Sequence, residues 1–464
     1  MKHRILTLLI LGVVTVGGVI AWSKFRSIDT PPFPIHIAFT SDTSGRIEPC
    51  GCYTGQLGGL TRVSTHLGPS SGNRLLYEIG DAVAGTEDFH VVHYDYLLRA
   101  YGEIGYAAVN LGHREARLSS EALQQAAANS PVPLISANLL DASTHDPVVK
   151  PWVVTELKNE TSMLRVATIG VVDPKRMNGK TGDGIQIARM DEVLRRHLPD
   201  MKKEADLLVC LAFTDEAGVR QLAEEFYEFV FILGGDVRQP SQLVEKINRS
   251  WTLSTTNQAR ALGELKATWK ANTKLVEDTV GNVTLMLDVI PQDPAVKAHS
   301  EQYRKDIRNI KLAIDIPGGD ASQLVPGVEP SATYVGSQSC AACHSKSFAV
   351  WQESRHAHAF ASLIQTKSDA DPSCIKCHTV GLGKPGGYLR SMGKEKLVNV
   401  SCESCHGPGS EHVQLRSAAS PGKEITLKLR SVGAGQCTQC HYGEFSRPFD
   451  WNVFWPLIEH GQEN

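Results

Sequence analysis

The sequence predicts a two-part protein, in which a layered α/β domain is followed by a smaller, mainly α-helical domain. From residue 34 to about residue 290, short apolar runs alternate with segments of helical period, which is typical of layered α/β folds. Residues 331–464 instead carry four copies of the pattern C-x-x-C-H. A chain of 464 residues is also too long for one ordinary hydrophobic core.

The strands of the α/β domain are predicted from short apolar runs that end at turn residues. A longer stretch, residues 261–290, alternates apolar and polar side chains and predicts an antiparallel hairpin. We therefore place this domain at residues 34–290. The predicted strands are "PIHIAFTSD", "RLLYEIGD", "YAAVNLGH", "PLISANLLD", "DLLVCLAF" and "FVFILGGD", and the clearest helices between them are "DFHVVHYDYLLRAYGEIG" and "DEAGVRQLAEEF".

Residues 291–330 are predicted to connect the two domains. Residues 293–314 are rich in charge and have helical spacing, so they predict a helix. The stretch "PGGDASQLVPGVEPS" that follows contains the Gly, Pro and Ser residues of a linker.

The first residues predict export from the cytoplasm. A basic "MKHR" precedes the apolar run "ILTLLILGVVTVGGVIAW", as in a signal peptide. The run is also long enough to cross a bilayer marginally, so residues 1–27 fit either a cleaved signal or a membrane anchor. Both interpretations place the rest of the chain in the periplasm or cell envelope.

Composition excludes some functional classes. A hydrophobic content of 42% is typical of a globular protein and not of a disordered one. The formal net charge of −3 is small for this length, so no nucleic-acid partner is expected.

The repeated C-x-x-C-H pattern predicts covalent haem. Zinc sites do not need a histidine after every second cysteine, and a thiol-redox motif would occur once, at the start of a helix. Attachment of c-type haem needs two thiols for the vinyl groups and an adjacent imidazole for the iron. The predicted attachment cysteines are Cys340, Cys343, Cys374, Cys377, Cys402, Cys405, Cys437 and Cys440, and the proximal iron ligands are His344, His378, His406 and His441.

Four haems in so short a region predict electron transfer. The polypeptide is too short to give each haem its own core, so the haems must lie close together and form much of the interior. Closely spaced haems provide an electron path, and the expected partners are a redox protein donor and acceptor.

The remaining histidines of this region are candidates for the second axial position of each iron. They are His356, His358, His412 and His460. His412 follows His406 by only six residues, so it is expected to face a different haem. His356 and His358 are two positions apart on a predicted helix and point in different directions.

The C-terminal motifs also carry a family resemblance. The runs "YVGSQSCAACHSKSFAVWQESRHAHAF", "DPSCIKCHTVGLGKPGGY" and "NVSCESCHGPGSEH" resemble the tetrahaem cytochrome c family of the nitrifier cytochrome c-554 type. The resemblance implies two histidine ligands at three haems and one five-coordinate haem, the one held by Cys374 and Cys377. It favours His356, His412 and His460 as distal ligands and leaves His358 spare.

A second resemblance covers roughly residues 34–290. The order "SDTSG … IGD … NLGHRE … LISANL … CLAFTDEA … ILGGD" is similar to the calcineurin-like metallophosphoesterases, in their 5′-nucleotidase branch. Asp42 and Asp81 match metal-binding aspartates of that family. Other ligand positions of the family hold different residues in this chain, namely Ser44, His113, Arg114, Phe213, Asp236 and Arg238.

These replacements predict loss of hydrolysis. Two-metal catalysis needs several neutral or anionic ligands, and Phe or Arg at those positions removes donors and adds positive charge. Asp42, Asp81 and His113, with Asp236, retain enough donors for one additional, weakly held metal ion. The carboxylates and arginines would equally satisfy one another as ion pairs. The domain is therefore expected to be a degenerate phosphoesterase scaffold that serves in docking.

Three further cysteines lie in the α/β domain. Cys50 and Cys52 form a C-x-C pair on a Gly-rich loop, which fits a redox pair, a soft-metal site with His113 or Asp42, or two structural thiols. Cys210 is expected to be a small buried apolar residue.

Two functions follow from the sequence. The first is a periplasmic tetrahaem c-type cytochrome that carries electrons. The alternative is a multihaem oxidoreductase that acts on a small inorganic nitrogen or sulfur compound, at a five-coordinate haem or at Cys50 and Cys52.

Overall fold

The structure of the chain is a computed structural model that describes most of both predicted domains. The predicted signal or anchor at 1–27, Cys50 and Cys52, and the predicted linker at 317–331 lie outside the described residues. The described residues are 32–49, 56–69, 73–160, 162–271, 273, 275–316, 332–392, 395–419, 429–443, 446 and 448–461.

The first part of the chain contains two large sheets and a small two-stranded one. Every run predicted to form a strand contains one. The strands are β1 (Phe33–Thr40), β2 (Arg74–Glu78), β3 (Ala108–Asn110), β4 (Leu134–Ile135), β5 (Leu139–Asp141), β6 (Trp152–Lys158), β7 (Met163–Val172), β8 (Ile185–Ile187), β9 (Leu207–Phe213), β10 (Phe231–Gly234), β11 (Glu245–Ile247), β12 (Ser250–Ser254), β13 (Ala261–Lys270) and β14 (Leu275–Leu285).

The first sheet has the order β14-β13-β1-β2-β3-β4, and the second has the order β11-β12-β10-β9-β7-β6. In the first sheet β1 to β4 are parallel, whereas β13 and β14 run antiparallel at one edge. The pairing of β13 with β14 confirms the predicted hairpin. In the second sheet the central strands β7, β9, β10 and β12 are parallel.

The two sheets pack face to face around one hydrophobic core. Every residue of β9 is buried, as expected for a central parallel strand covered on both faces. The Asn110 amide, at the end of β3, donates to the carbonyl oxygens of Ile79 (2.7 Å) and Val171 (3.0 Å), so it joins the two sheets. The hydroxyls of Tyr77 and Thr168, one from each sheet, lie 2.9 Å apart. The predicted α/β layered architecture is therefore confirmed.

Six helices cover or flank these sheets. They are α1 (Leu60–Leu67), α2 (Asp88–Ile104), α3 (Ser120–Asn129), α4 (Met190–Glu204), α5 (Glu216–Glu225) and α6 (Pro294–Asp306) among the described residues. The helix predicted at 293–314 is shorter than expected, because α6 ends at Asp306 and Ile307 and Leu312 beyond it are buried in the core.

The second part is mainly helical, as predicted. Its helices are short, and its buried apolar cluster is small: Tyr334, Leu363, Ile375, Val380, Tyr388 and Leu397. The helices are α7 (Gln338–Ala341), α8 (Ser345–Glu353), α9 (Ala359–Thr366), α10 (Pro372–His378), α11 (Cys402–His406), α12 (Ser410–Ala418), α13 (Ala434–Cys437) and α14 (Trp451–Phe454). No helix in the described part of the chain combines the length and apolar character needed to cross a bilayer.

The two parts are joined by a polar contact next to α6. The Arg390 guanidinium, almost fully buried, forms an ion pair with Asp315 and donates to the carbonyl oxygens of Ile307 (2.7 Å) and Ile310 (2.8 Å). Ala370, from the helical part, belongs to the buried cluster of the α/β part. The helical part is therefore packed directly onto the α/β domain.

Candidate functional site

Each C-x-x-C-H motif forms or adjoins one turn of helix, which sets its two cysteines on the same side of the chain. The motifs lie in or directly after α7, α10, α11 and α13. In the first and last motifs the histidine amide donates to the carbonyl oxygen of the first cysteine, Cys340 (2.9 Å) or Cys437 (2.8 Å). This local geometry suits attachment of one haem per motif.

The four motifs meet in two pairs. Cys340 of the first motif lies next to Cys402 of the third. Cys377 of the second motif lies next to Cys440 of the fourth. The pairs bring together motifs that are far apart in sequence.

Three motif histidines each face one of the further histidines. His344 and His412 have ring centroids 6.2 Å apart, His441 and His356 6.0 Å, and His406 and His460 5.9 Å. Two imidazoles on opposite sides of one metal ion, each at a metal–nitrogen distance of about 2 Å, have centroids about 6 Å apart. Each of the three pairs therefore has the spacing that one haem iron requires.

Hydrogen bonds orient several of these imidazoles through Nδ1. Nδ1 of His378 lies 2.7 Å from the carbonyl oxygen of Ala359. Nδ1 of His406 lies 2.9 Å from the carbonyl oxygen of Arg430, and Nδ1 of His460 lies 2.7 Å from that of Ile458. A carbonyl oxygen only accepts, so Nδ1 carries the proton and Nε2 keeps its lone pair. Such bonds fix the tautomer of metal-binding histidines.

His378 differs from the other motif histidines. Among the described residues, no ring contact joins it to a second histidine, whereas the other three motif histidines have such a contact. His358, the remaining candidate, lies in a 3₁₀ turn (Arg355–His358), where a regular helix was expected, with Nε2 3.2 Å from the carbonyl oxygen of Gln352. The structure thus brings His356, His412 and His460 to motif histidines and leaves His358 apart.

Glu403, inside the third motif, has a structural role that the motif pattern does not reveal. Its carboxylate is buried and accepts from the backbone amides of Val335 (3.0 Å), Gly336 (2.7 Å) and Gly409 (2.8 Å). It therefore ties the start of the helical domain and the start of α12 to the motif. Only its position at the N-terminus of α11, where an acidic residue is favoured, is readable from the sequence.

In the α/β part, the side chains matched to metal ligands meet at the carboxyl ends of β1 and β2. The Arg114 guanidinium donates to Asp42 Oδ1 (2.5 Å) and to the Ser44 hydroxyl, and its Nε lies 3.9 Å from Asp81 Oδ2. The Arg114 backbone amide also donates to Asp81 Oδ1 (2.7 Å). One arginine thus lies between the two aspartates in this strand-end cleft.

Burial and charge determine protonation in the strand-end cleft. Burial raises the pKa of Asp42, and the Arg114 guanidinium partly offsets that rise. Burial, followed by the nearby Glu115 carboxylate, raises the pKa of Asp81. Burial would lower the pKa of Arg114, but Asp42 and Asp81 together raise it. Burial thus favours the protonated form of both carboxyl groups, and the Arg114 cation opposes that effect.

The other predicted residues of this site point elsewhere or pair with one another. His113 Nε2 lies 2.8 Å from the carbonyl oxygen of Asp173, and its ring packs edge-on to Phe213 with centroids 5.2 Å apart. Asp236 forms an ion pair with Arg176, which also bonds Asp215 (2.8 Å). Within the described ranges, no group of three or more His, Cys, Asp or Glu side chains is arranged to hold a metal ion.

The helical part matches a known family. The model of the family "Cytochrome c554 and c-prime" matches residues 339–407. Over 144 residues the chain is 29% identical to cytochrome c-554 of Nitrosomonas europaea, covering 25% of this chain and 61% of that protein. The resemblance predicted from the motifs is therefore confirmed, and it supports a role in haem-based electron transfer.

The α/β part is similar to phosphoesterases. It is 25% identical over 162 residues to the 2',3'-cyclic-nucleotide 2'-phosphodiesterase/3'-nucleotidase of Salmonella typhimurium, covering 30% of this chain but only 24% of that protein. The calcineurin-like phosphoesterase YfkN from Bacillus subtilis has the same fold, with a TM-score of 0.51, 18% identity, and coverage of 60% of this chain and 98% of that one. The predicted phosphoesterase-like fold is confirmed by this likeness.

Proposed function

We propose that this protein is an exported tetrahaem c-type cytochrome that transfers electrons, and that its phosphoesterase-like domain has lost hydrolytic activity. The single observation that carries the proposal is the set of three imidazole pairs with centroids 5.9–6.2 Å apart, each joining a motif histidine to a further histidine. When bound, haem supplies a one-electron ferric/ferrous couple whose potential depends on its axial ligands.

We assign the axial ligands of the haem irons from these pairs. His344 and His412 would hold the first iron, His406 and His460 the third, and His441 and His356 the fourth. His378 would hold the second iron alone, which leaves that iron five-coordinate. The eight motif cysteines would form the covalent attachments.

The contacts between cysteines suggest an order for electron flow. The first motif contacts the third and the second contacts the fourth, as described above. Cys405 of the third motif and Cys437 of the fourth are also near each other. We infer that electrons pass the motifs in the order first, third, fourth, second. The second motif then lies at the end of the cluster that contacts the α/β domain.

The proposed loss of hydrolysis rests on the position of Arg114. Its guanidinium bonds Asp42 and approaches Asp81, so it fills the space between the two carboxylates that would have to share metal ions. His113 and Asp236 are engaged with Asp173 and Arg176. The apolar N-terminal run supports export, and external redox proteins are the proposed donor and acceptor.

Mass spectrometry and paramagnetic resonance on periplasmically matured protein test the proposal. Intact mass is expected to show four haem additions per chain, and resonance spectra are expected to show three low-spin irons and one high-spin iron. Two or fewer haems would overturn the assignment of the motifs. Four haems with fewer than three low-spin irons would overturn only the ligand pairs. A Cys210→Ala control is expected to retain all four haems, because Cys210 is buried in β9, away from the motifs.

A further inference from the structure

The α/β domain reaches the second C-x-x-C-H motif through the side chain of Tyr303. This residue lies near the C-terminal end of α6 and is almost fully buried. Its hydroxyl donates to Asp371 Oδ1 at 3.3 Å, across the boundary between the two parts of the chain. Tyr303 therefore connects α6 to the start of α10.

Asp371 is the residue that begins α10. Its Oδ1 accepts from the backbone amide of Ser373 at 2.9 Å, which is the N-cap arrangement, and Pro372 occupies the first helical position. The same short helix carries Cys374, Cys377 and His378. A change in the Asp371 cap is thus transmitted within two turns to all three groups that would hold the second haem.

The other side of the Tyr303 ring faces residues of α2. His93 packs edge-on against it with centroids 4.6 Å apart, and the Tyr96 ring lies 5.7 Å away. His93 in turn lies against Gly45, where an added Cβ would be 3.1 Å from the imidazole Nδ1. Gly45 directly follows Ser44 of the strand-end cleft. A continuous set of contacts therefore runs from the strand-end cleft to α10.

We propose that Tyr303 is a positioning residue through which the α/β domain sets the reduction potential of the haem held at Cys374, Cys377 and His378. The potential of a haem depends on hydrogen bonding, charge and burial around it. By donating to Asp371, the Tyr303 hydroxyl fixes both the orientation of α10 and the hydrogen bonding of a half-buried carboxylate near Cys374. The inference rests on the proposed haem function of the second motif.

The test is a redox titration of the full-length holoprotein, with each haem followed by its spectrum. Tyr303→Phe is expected to retain four haems and to shift the potential of the high-spin iron alone. Tyr96→Phe is the matched control, since it also removes a buried phenol hydroxyl from this cluster. The Tyr96 hydroxyl bonds Asp306 (2.6 Å) on α6 and not the helical domain, so its loss is expected to leave all four potentials unchanged.

A second variant separates positioning from simple damage to the fold. Asp371→Asn keeps a good N-cap but alters the acceptor of the Tyr303 hydroxyl, so it is expected to shift the same potential. Adding Tyr303→Phe to Asp371→Asn should then cause little further shift, because both changes act on one interaction. Unchanged potentials in Tyr303→Phe, or an equal shift in Tyr96→Phe, would overturn the inference. A wild-type protein without a haem at Cys374 and Cys377 would instead overturn the proposed function.

Discussion

His460 and His406 lie with their ring centroids 5.9 Å apart, although His460 is close to the end of the chain. The tail is held in place by aromatic packing. Trp451 and Trp455 stack with centroids 4.7 Å apart, and Trp455 lies 6.4 Å from His460. The aromatic contacts therefore position the His460 ring against His406.

Replacing His460 is expected to open one iron. His460→Ala should convert one low-spin haem to high spin while all four haems remain attached, and the potential of that haem should rise, because a basic imidazole stabilises the ferric state. Absorption and paramagnetic-resonance spectra measure the change of spin state, and a redox titration followed by absorption measures the change of potential. His358→Ala is the control and should leave the spectra unchanged. If His460→Ala has the wild-type spectrum, His460 is not an iron ligand.

Nucleotide hydrolysis is expected to be negligible. The Arg114 guanidinium occupies the space between Asp42 and Asp81, so manganese or zinc ions have no free pair of carboxylates to share. Assays with nucleoside monophosphates and 2',3'-cyclic nucleotides in the presence of either metal provide the measurement. Arg114→Ala should allow weak metal binding without turnover, because Phe213 and Arg176 remain. Turnover by the wild type of about 10 per second would contradict the proposed loss of activity.

Glu78 makes the stability of the α/β domain depend on pH. It is fully buried on β2, where Oε2 accepts from the hydroxyls of Thr40 and Thr43 at 2.6 Å each, and burial raises its pKa from 4.5 to about 7. The folded state therefore holds this proton more tightly than the unfolded state. The contribution of Glu78 to stability is therefore full below about pH 4.5 and is lost between pH 4.5 and pH 7, a change on the order of 3 kcal/mol.

The variant Glu78→Gln tests this pH dependence. The amide has the shape of the protonated carboxyl group but does not ionise, so the variant should lose less stability than the wild type between pH 5 and pH 8. Urea unfolding followed by circular dichroism at both pH values measures the difference. The exposed Glu121→Gln serves as the control and should behave as the wild type. If the stability of Glu78→Gln changes with pH as steeply as that of the wild type, the pH dependence comes from other groups.

Two arginines at the boundary between the domains should differ greatly in importance. The Arg390 side chain is 8% exposed and its partner Asp315 is 10% exposed, so Arg390→Met leaves a buried charge unpaired and should cost about 3 kcal/mol. The Arg308 side chain is 40% exposed in its pair with Asp369, and Arg308→Met should cost less than about 1 kcal/mol. Urea unfolding and the rate of proteolysis between the domains measure both. Equal losses of stability in the two variants would show that the buried Arg390–Asp315 pair is not the main contact between the domains.

Local patterns predicted most of the fold. Within the alternating stretch 261–290, β13 and β14 pair as expected, although β14 ends at Leu285. The helix after it was predicted to be too long, because Ile307 and Leu312 are buried in the core and not on a continuing helix. A tertiary contact determines where that helix ends. The helical spacing of the sequence does not predict this end point.

The candidate sites were predictable only in part. The repeated motif predicts the attachment cysteines, since the chemistry requires them to be neighbours in sequence. The sequence also showed that Arg114 occupies a metal-ligand position of the family. It did not predict that Arg114 bonds Asp42 and Ser44 at the same time. Contacts such as Tyr303 with Asp371 join distant segments and leave no periodic signal, so they become visible only in the folded chain.

The pairing of β1 with β13 also closes the α/β domain over a long stretch of chain. His36 and Glu264, 228 positions apart, meet across this pairing, and contacts so distant in sequence form slowly because a long loop must first close. The strands of the second sheet all lie between β4 and β13 in the chain, so the first sheet is completed only by a segment that follows the second sheet. The helix α6, which carries Tyr303, comes directly after that closing hairpin, so the contact with Asp371 is built on the last part of the α/β domain.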